Sequence, residues 1–196
     1  MLVKIVNFLK KFVSNVLHRT EYVGLENIDK EKLYIFAANH VSALDPAYIM
    51  NVIDNLAIMA KAELFKKPIV REVVIACGAF PIERGKKDLK AVLHASRVIT
   101  DEKKNLLIFP EGTRKANKKG VRAKDGAVCI AEIAGVDIIP VHITENQGLF
   151  KKYTVKFGKP MSVNIEQNDK EDIKAVRHNL TKELMERIYS MRDDNE

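Results

Sequence analysis

Residues 33–45 read LYIFAANHVSALD. The first six are all apolar or aromatic, which predicts a buried β-strand over Leu33 to Ala38. The polar residues that follow end this strand. The Asp-Pro pair at 45–46 then predicts the start of a helix, with Asp45 at its N-cap and the proline at the first helical position. A buried strand that leads through a short loop into a helix is typical of α/β folds.

The same alternation of short apolar runs and amphipathic stretches continues along the chain. We predict strands over Leu33 to Ala38, Leu56 to Ala60, Ala79 to Ile82, Asn105 to Phe109, Asp137 to Ile143 and Tyr153 to Phe157. We predict helices over Pro46 to Ile53, Pro68 to Ala76, Lys87 to Asp101, Gly126 to Ala134 and Lys170 to Met191. Helices between successive strands are the crossover connections that a parallel sheet requires. Residues 20–196 are therefore predicted to form one α/β domain, a largely parallel sheet flanked by helices.

The first 19 residues, MLVKIVNFLKKFVSNVLHR, predict an amphipathic helix. Their apolar residues recur at helical spacing, while lysines interrupt the run and prevent it from spanning a bilayer, which takes about 20 predominantly apolar residues. No small-residue cleavage site follows, so we do not interpret the segment as a signal peptide. Its basic residues would suit an anionic membrane interface, and its apolar face would equally suit the core of the domain. The pattern leaves both alternatives open.

Composition narrows the class of partner. The chain has 196 residues and a formal charge of +7, which favours polyanionic partners. It has no Trp and no Cys/His finger, so lipid is favoured over nucleic acid, and we expect no nucleic-acid partner. The two cysteines, Cys77 and Cys129, lack CxxC spacing and predict buried, reduced thiols in a cytosolic protein. We expect no metal site.

Three polar clusters directly follow predicted strands, where α/β sheets gather their ligands. They are Asn39 with His40, Glu83 with Arg84, and residues 110–114. Because the carboxyl ends of parallel strands open at one edge of the sheet, we expect the three clusters to converge on one site.

His40 and Asp45 are five residues apart, which on a continuous helix would place them roughly 140° apart around the axis. A strand, loop and helix start allows the chain to fold back instead. Asp45 would then accept a hydrogen bond from one ring nitrogen of His40, orient the ring and raise the basicity of the other nitrogen. The alternative is that Asp45 is only a helix cap and His40 a turn histidine.

The segment FPEGTR, residues 109–114, argues against that alternative. Gly112 permits close backbone approach to a ligand, Thr113 offers a hydroxyl, and Arg114 offers a planar fork matched to phosphate. Glu111 could accept hydrogen bonds from a polyol. A tight turn with solvated charges would explain the proline and the glycine but not the ordered set of functional groups.

With these motifs the chain resembles the glycerolipid acyltransferase family, which includes the bacterial 1-acyl-glycerol-3-phosphate acyltransferases. The motifs that carry the resemblance appear in the family's order, and the region from the first to the last of them is about half of the chain. They are NHVSALD at 39–45, KAELFKKP at 61–68, GAFPIER at 78–84, FPEGTR at 109–114 and IIPV at 138–141. One departure is the sequence AKDG at 123–126, where Asp125 stands in a position that relatives fill with a basic or neutral residue. This departure concerns the choice of acyl donor.

The resemblance implies a role for each matched residue. His40 would be the general base and Asp45 the carboxylate that orients it, while IIPV would serve the acyl-donor or hydrophobic side of the site. The residues implied in binding the acceptor and its phosphate are Lys61, Arg84, Glu111, Gly112, Thr113 and Arg114.

The implied reaction is direct transfer of a fatty acyl group from an acyl thioester, acyl-ACP or acyl-CoA, to the sn-2 hydroxyl of 1-acyl-glycerol 3-phosphate, which yields phosphatidic acid. No cofactor is expected, and the expected location is the cytoplasmic face of the membrane. Ser42 is an alternative, covalent nucleophile. Another acceptor, such as glycerol 3-phosphate or a different lysolipid, and a noncatalytic basic membrane or nucleic-acid binding protein remain the competing interpretations.

Overall fold

The computed structural model describes residues 19–82, 89–114, 123–144, 152–165 and 170–192, with the side chains of 170–172 excepted. Seven strands of the described residues form one sheet: β1 (Glu21–Val23), β2 (Tyr34–Ala38), β3 (Leu56–Lys61), β4 (Ala79–Ile82), β5 (Asn105–Ile108), β6 (Asp137–Ile143) and β7 (Thr154–Phe157). Five α-helices lie in the described part of the chain: α1 (Asp45–Met50), α2 (Pro68–Ala76), α3 (Leu89–Thr100), α4 (Gly126–Ala134) and α5 (Lys170–Ser190). Two short 3₁₀ helices span Leu25–Asn27 and Ala62–Lys66.

The strands are ordered β1-β7-β6-β2-β5-β3-β4, and every pairing is parallel except that between β6 and β7. This confirms the predicted α/β fold and its largely parallel sheet. All six predicted strands and all five predicted helices beyond the N-terminus are present, with ends shifted by three residues or fewer. The predicted N-terminal helix lies outside the described residues, as do Lys87 and Asp88 of the third predicted helix.

Strand β1 was not predicted from the sequence. It has only three residues, and its outer two side chains are exposed, so it carries no apolar run. It exists because its backbone pairs with β7, with Tyr22 opposite Val155. Pairing between residues so far apart in sequence leaves no local pattern.

Helices cover both faces of the sheet, which explains why LYIFAA is apolar without alternation. On one face, Ile35 and Ala37 of β2 pack in a core cluster that includes residues of α3, α4 and α5. On the other face, Tyr34, Phe36 and Ala38 pack with α1. All five residues of β2 are buried, as expected of a central strand in a parallel sheet.

The position of β2 determines where the site forms. It lies between β5 and β6, with Ala37 opposite Ile108 and Ala38 opposite Val141. Strand β3 is the next neighbour beyond β5. Because these strands run parallel, the segments that follow β2, β3 and β5 leave the sheet at the same edge. None of the helices in the described residues is long and apolar enough to cross a membrane.

Candidate active site

His40 and Asp45 are in direct contact. Nδ1 of His40 lies 2.7 Å from Oδ2 of Asp45, because the loop between β2 and α1 folds back on itself. The same carboxylate oxygen accepts hydrogen bonds from the backbone N–H groups of Val41, at 2.7 Å, and Ser42, at 2.8 Å. The five-residue spacing therefore produces a pair, which decides against the interpretation of Asp45 as a cap alone.

The prediction that Asp45 is the helix N-cap is wrong by one position. Asp45 is the first residue of α1, and Leu44 occupies the cap position without a side-chain hydrogen bond. The Oδ2 atom of Asp45 is directed back to the loop that precedes the helix. The side chain of Asp45 is fully buried, so these donors offset the cost of removing its charge from water.

Asn39 ties this loop to the neighbouring strand. Its side-chain Nδ2 donates to the backbone carbonyl of Ile143 at 2.8 Å, and its Oδ1 accepts from the N–H of the same residue at 2.7 Å. Asn39 is fully buried, and Ile143 is the last residue of β6. The amide thus replaces a strand pairing just before His40. Asn39 was correctly predicted to follow β2 at the carboxyl end of the strand, but its sequence context gave no sign of this role.

The ring of Phe109 packs flat against the ring of His40. The two centroids are 4.1 Å apart, and the planes are inclined by 21°. No group in the described part of the chain forms a hydrogen bond with Nε2 of His40, and 15% of the His40 side chain is exposed. Asp45 and Phe109 therefore hold the imidazole from its edge and its face, and neither contact uses Nε2.

His40 lines a cavity of about 680 Å³ between α1, α2 and the edge of the sheet. Its walls are mainly apolar, from side chains such as Leu44, Met50, Ile58, Val70 and Val74. Three further predicted site residues line the same cavity: Lys61, Thr113 and Arg114. The cavity therefore combines an imidazole, two cations and a hydroxyl with a mainly apolar wall.

Two of the predicted site residues in FPEGTR, Glu111 and Gly112, do not line this cavity. Gly112 lies in the turn that follows β5, where its N–H donates to the carbonyl of Phe109 at 2.9 Å. Its φ of 66° is in the left-handed region that favours glycine. Glu111 is only 7% exposed and accepts a hydrogen bond from the hydroxyl of Tyr189 on α5. Of the other predicted site residues, Arg84 lies outside the described part of the chain.

Ser42 is held by its surroundings in a structural position. Its backbone N–H donates to Asp45, and its Oγ accepts from the N–H of Leu44 at 3.2 Å. Ser42 does not line the cavity. This arrangement gives the hydroxyl no contact with the imidazole that would activate it.

The other two sequence features lie away from the cavity. Residues 138–141, IIPV, lie within β6, and none of them lines the cavity wall. Asp125 precedes α4, and its Oδ1 is 3.6 Å from Nδ1 of His178 on α5. The acidic departure from the family pattern is therefore placed against the C-terminal helix.

Two buried tyrosines lie on the inner side of Asp45. Tyr48 on α1 and Tyr153, just before β7, have ring centroids 5.3 Å apart. Burial raises the pKa of Tyr48, and the neighbouring Tyr153 and Asp45 raise it further. Burial also raises the pKa of Tyr153, as does Asp45. Both hydroxyls therefore remain protonated beside the carboxylate.

Comparison with known proteins agrees with this geometry. A family model described as Acyltransferase matches residues 19–144, more than half of the chain and every described residue that lines the cavity. A 1-acyl-sn-glycerol-3-phosphate acyltransferase of Streptococcus pneumoniae is 31% identical over 164 residues, 80% of this chain and 61% of that protein. One of Borreliella burgdorferi is 29% identical over 171 residues, 84% of this chain and 68% of that protein.

A solved structure is also similar, the 1-acyl-sn-glycerophosphate (LPA) acyltransferase PlsC of Thermotoga maritima. It has a TM-score of 0.66 and 25% identity, over 94% of this chain and 78% of that one. The chain spans about three fifths of the length of the first of these relatives. The matched region contains His40, Asp45 and the FPEGTR segment, and the chain belongs to the Acyltransferase family.

Proposed function

We propose that the protein transfers a fatty acyl group from an acyl thioester to the sn-2 hydroxyl of 1-acyl-glycerol 3-phosphate, producing phosphatidic acid for phospholipid biosynthesis. The observation that carries the proposal is the His40–Asp45 pair, at 2.7 Å, in which His40 lines a mainly apolar cavity that Arg114 also lines. The similarity to 1-acyl-sn-glycerol-3-phosphate acyltransferases supports this choice of acceptor.

The pair is suited to general base catalysis. Asp45 accepts the Nδ1–H of His40, which leaves Nε2 as the basic nitrogen. Nε2 removes the proton of the acceptor hydroxyl as its oxygen attacks the thioester carbonyl, which gives a tetrahedral intermediate. When the intermediate collapses, the carbon–sulfur bond breaks and the imidazolium returns the proton to the departing thiolate. The products are the ester and the free thiol.

The remaining lining residues suit the rest of the substrates. Arg114 and Lys61 are cations within the same cavity, so they can bind the phosphate of the acceptor. The apolar wall can take up a fatty chain, and the cavity size is within the range of small-molecule sites. Arg84 is proposed as a further phosphate ligand on the basis of its motif alone.

The donor would be a thioester of acyl carrier protein or of coenzyme A, and no other cofactor is proposed. We place the enzyme at the cytoplasmic face of the membrane as a peripheral protein. The formal charge of +7 and the predicted amphipathic segment at residues 1–19 support attachment to anionic lipid.

A different acceptor is the competing hypothesis. Arg114 and Lys61 would bind the phosphate of glycerol 3-phosphate as well as that of a lysolipid, since neither depends on an acyl chain at sn-1. The apolar cavity favours an acceptor or donor with a chain but does not assign the chain to one of them.

A panel assay tests the proposal. The purified full chain would be offered labelled palmitoyl thioesters of both carriers, each with 1-acyl-glycerol 3-phosphate, other lysophospholipids and glycerol 3-phosphate. We expect labelled phosphatidic acid with 1-acyl-glycerol 3-phosphate as the preferred acceptor. Preference for glycerol 3-phosphate would support the competing hypothesis, and no transfer to any acceptor would refute the proposal.

The same preparation distinguishes direct transfer from a covalent route. Mass spectrometry after incubation with donor alone should show no acyl group on the protein, and Ser42→Ala should keep its activity. An acyl adduct on Ser42 that passes to the acceptor would replace the direct mechanism.

A further inference from the structure

A tyrosine far from FPEGTR in sequence contacts that segment. The hydroxyl of Tyr189, in the last turn of α5, donates a hydrogen bond to Oε1 of Glu111. The two residues are 78 positions apart. The carboxylate is nearly buried, and this hydrogen bond replaces part of the water that it loses, while Oε2 has no hydrogen-bond partner among the described residues.

Helix α5 does not need this hydrogen bond to stay in place. Leu184 and Ile188 are fully buried in the core cluster between the sheet and its helices. Arg177 forms two hydrogen bonds with Glu132 of α4, at 2.7 and 3.0 Å. The helix is thus anchored by other contacts, so it provides a fixed position from which the hydroxyl of Tyr189 can restrain Glu111.

Glu111 lies in the middle of a short, fixed turn. The N–H of Gly112 donates to the carbonyl of Phe109 at 2.9 Å, and the N–H of Lys124 donates to the carbonyl of Pro110 at 3.0 Å. The next two residues, Thr113 and Arg114, line the cavity.

The hydrogen bond between Tyr189 and Glu111 reaches the turn from the sheet face that does not carry the cavity. Helix α5 packs on the sheet face opposite to α1, whereas α1 contributes to the cavity wall. The hydrogen bond from Tyr189 therefore fixes the turn from the side away from the substrate.

We propose that Tyr189 is a positioning residue, which holds Glu111 and thereby sets the turn that presents Thr113 and Arg114 to the phosphate of the acceptor. The proposal rests on the proposed function and deepens it. Its consequence is specific: loss of the hydroxyl should weaken acceptor binding while the His40–Asp45 pair and the chemical step remain intact.

Tyr189→Phe tests the proposal because it removes only the hydroxyl and keeps the ring, which packs edge-on against His142 with centroids 6.3 Å apart. A hydrogen bond to a charged group is worth enough to expect a roughly tenfold rise in KM for 1-acyl-glycerol 3-phosphate. The value of kcat, its pH profile and the KM for the acyl donor should stay close to those of the parent enzyme.

Two further variants make the test specific. Ser190→Ala removes a neighbouring hydroxyl of α5, whose partner is the carbonyl of Arg187 at 3.0 Å, and should leave every constant unchanged. In a Glu111→Ala background, Tyr189→Phe should cause no additional rise in KM, since its effect passes through Glu111. The proposal would be overturned by an unchanged KM in Tyr189→Phe. It would also be overturned by a fall in kcat as large as the rise in KM, or by effects of Tyr189→Phe and Glu111→Ala on KM that add fully.

A binding measurement separates this inference from the proposed function. Calorimetric titration with glycerol 3-phosphate needs no turnover and reports on the phosphate alone. If the parent protein transferred no acyl group but Tyr189→Phe bound glycerol 3-phosphate roughly tenfold more weakly, the activity would be refuted and the positioning role would stand. Equal binding by the parent protein and the variant would refute the positioning role.

Discussion

The imidazole of His40 stacks on the ring of Phe109, with centroids 4.1 Å apart and an angle of 21° between the planes. His40 follows β2, and Phe109 follows the neighbouring strand β5 and begins the FPEGTR segment. The His40 loop and the FPEGTR segment are therefore in contact through one ring pair. The stack prevents the imidazole from tilting out of its plane. The hydrogen bond from Nδ1 to Asp45 restrains its rotation within that plane.

Phe109→Leu should reduce kcat by a few-fold to about tenfold, because an aromatic pair contributes roughly 0.5–1.5 kcal/mol beyond area burial and its loss frees the imidazole to tilt. Steady-state kinetics would measure the change. Phe80→Leu is a matched control, since Phe80 packs on a different histidine, His94, with centroids 4.9 Å apart. An equal fall in kcat in both variants would show that the stack has no special role.

Asn39→Leu should be costly for both stability and activity. It removes two hydrogen bonds and leaves the buried N–H and carbonyl of Ile143 unpaired, at about 2–4 kcal/mol in the free energy of unfolding. Chemical denaturation would measure this loss, and kcat should fall because the loop before His40 is released.

The control for that variant is Asn27→Ala. Asn27 also binds a strand end through one side-chain hydrogen bond, to the carbonyl of Phe157 at 2.9 Å, but it is not attached to the His40 loop. It should lose about 1 kcal/mol of stability and keep its kcat. If Asn39→Leu also kept full kcat, the loop would not need this anchor.

Much of this fold could be predicted because its determinants are local. The run LYIFAA is apolar since β2 is buried on both faces, and the residues that follow it must turn at the sheet edge. His40, Lys61 and Arg114 each follow or end a strand, so their convergence on one cavity follows from the parallel topology. The pairing of His40 with Asp45 needed only a short loop.

The contacts that escaped prediction join distant parts of the chain. Asn39 pairs with a backbone 104 positions away, and Tyr189 reaches Glu111 across 78 positions. Neither contact leaves a pattern in the sequence around it, because asparagine is common after strands and tyrosine is common on helices. For the same reason, Glu111 was predicted to face the substrate, whereas one of its oxygens is bound by the C-terminal helix.

Arg114→Lys should raise the KM for 1-acyl-glycerol 3-phosphate by roughly tenfold, because lysine keeps the charge but loses the two-pronged contact with phosphate. Transfer to a neutral 1-acyl-glycerol should change little. Arg97→Lys on α3 is the control for the same chemical change at a position away from the cavity. If the KM of Arg114→Lys were similar to that of the parent enzyme, Arg114 would not be a phosphate ligand.

Alkaline pH should destabilise the protein through the tyrosines behind Asp45. Burial raises the pKa of Tyr48 and of Tyr153 above the value of about 10 that tyrosine has in the unfolded chain. The unfolded state then loses these protons first, so stability is retained below about pH 10 and is lost as the pH rises toward the raised values. Denaturation midpoints between pH 7 and 11 would measure this loss.

Tyr48→Phe supplies the comparison for that series. It removes one ionising group, so the variant should lose less stability than the parent protein between neutral and alkaline pH. Parallel curves for the two proteins would mean that Tyr48 does not contribute to the alkaline loss.

We propose that His40, oriented by Asp45, is the base that drives acyl transfer. The most direct test is the kcat of His40→Ala with a labelled acyl thioester and 1-acyl-glycerol 3-phosphate, measured beside its thermal midpoint. We predict a fall in kcat of about 10²–10⁴-fold, as expected for a general base, with the protein still folded and its thermal midpoint lowered by a few degrees, because the buried carboxylate of Asp45 loses the hydrogen bond from His40. Asp45→Asn should lower kcat as well. A His40→Ala variant that retained full activity would show that His40 is not the base.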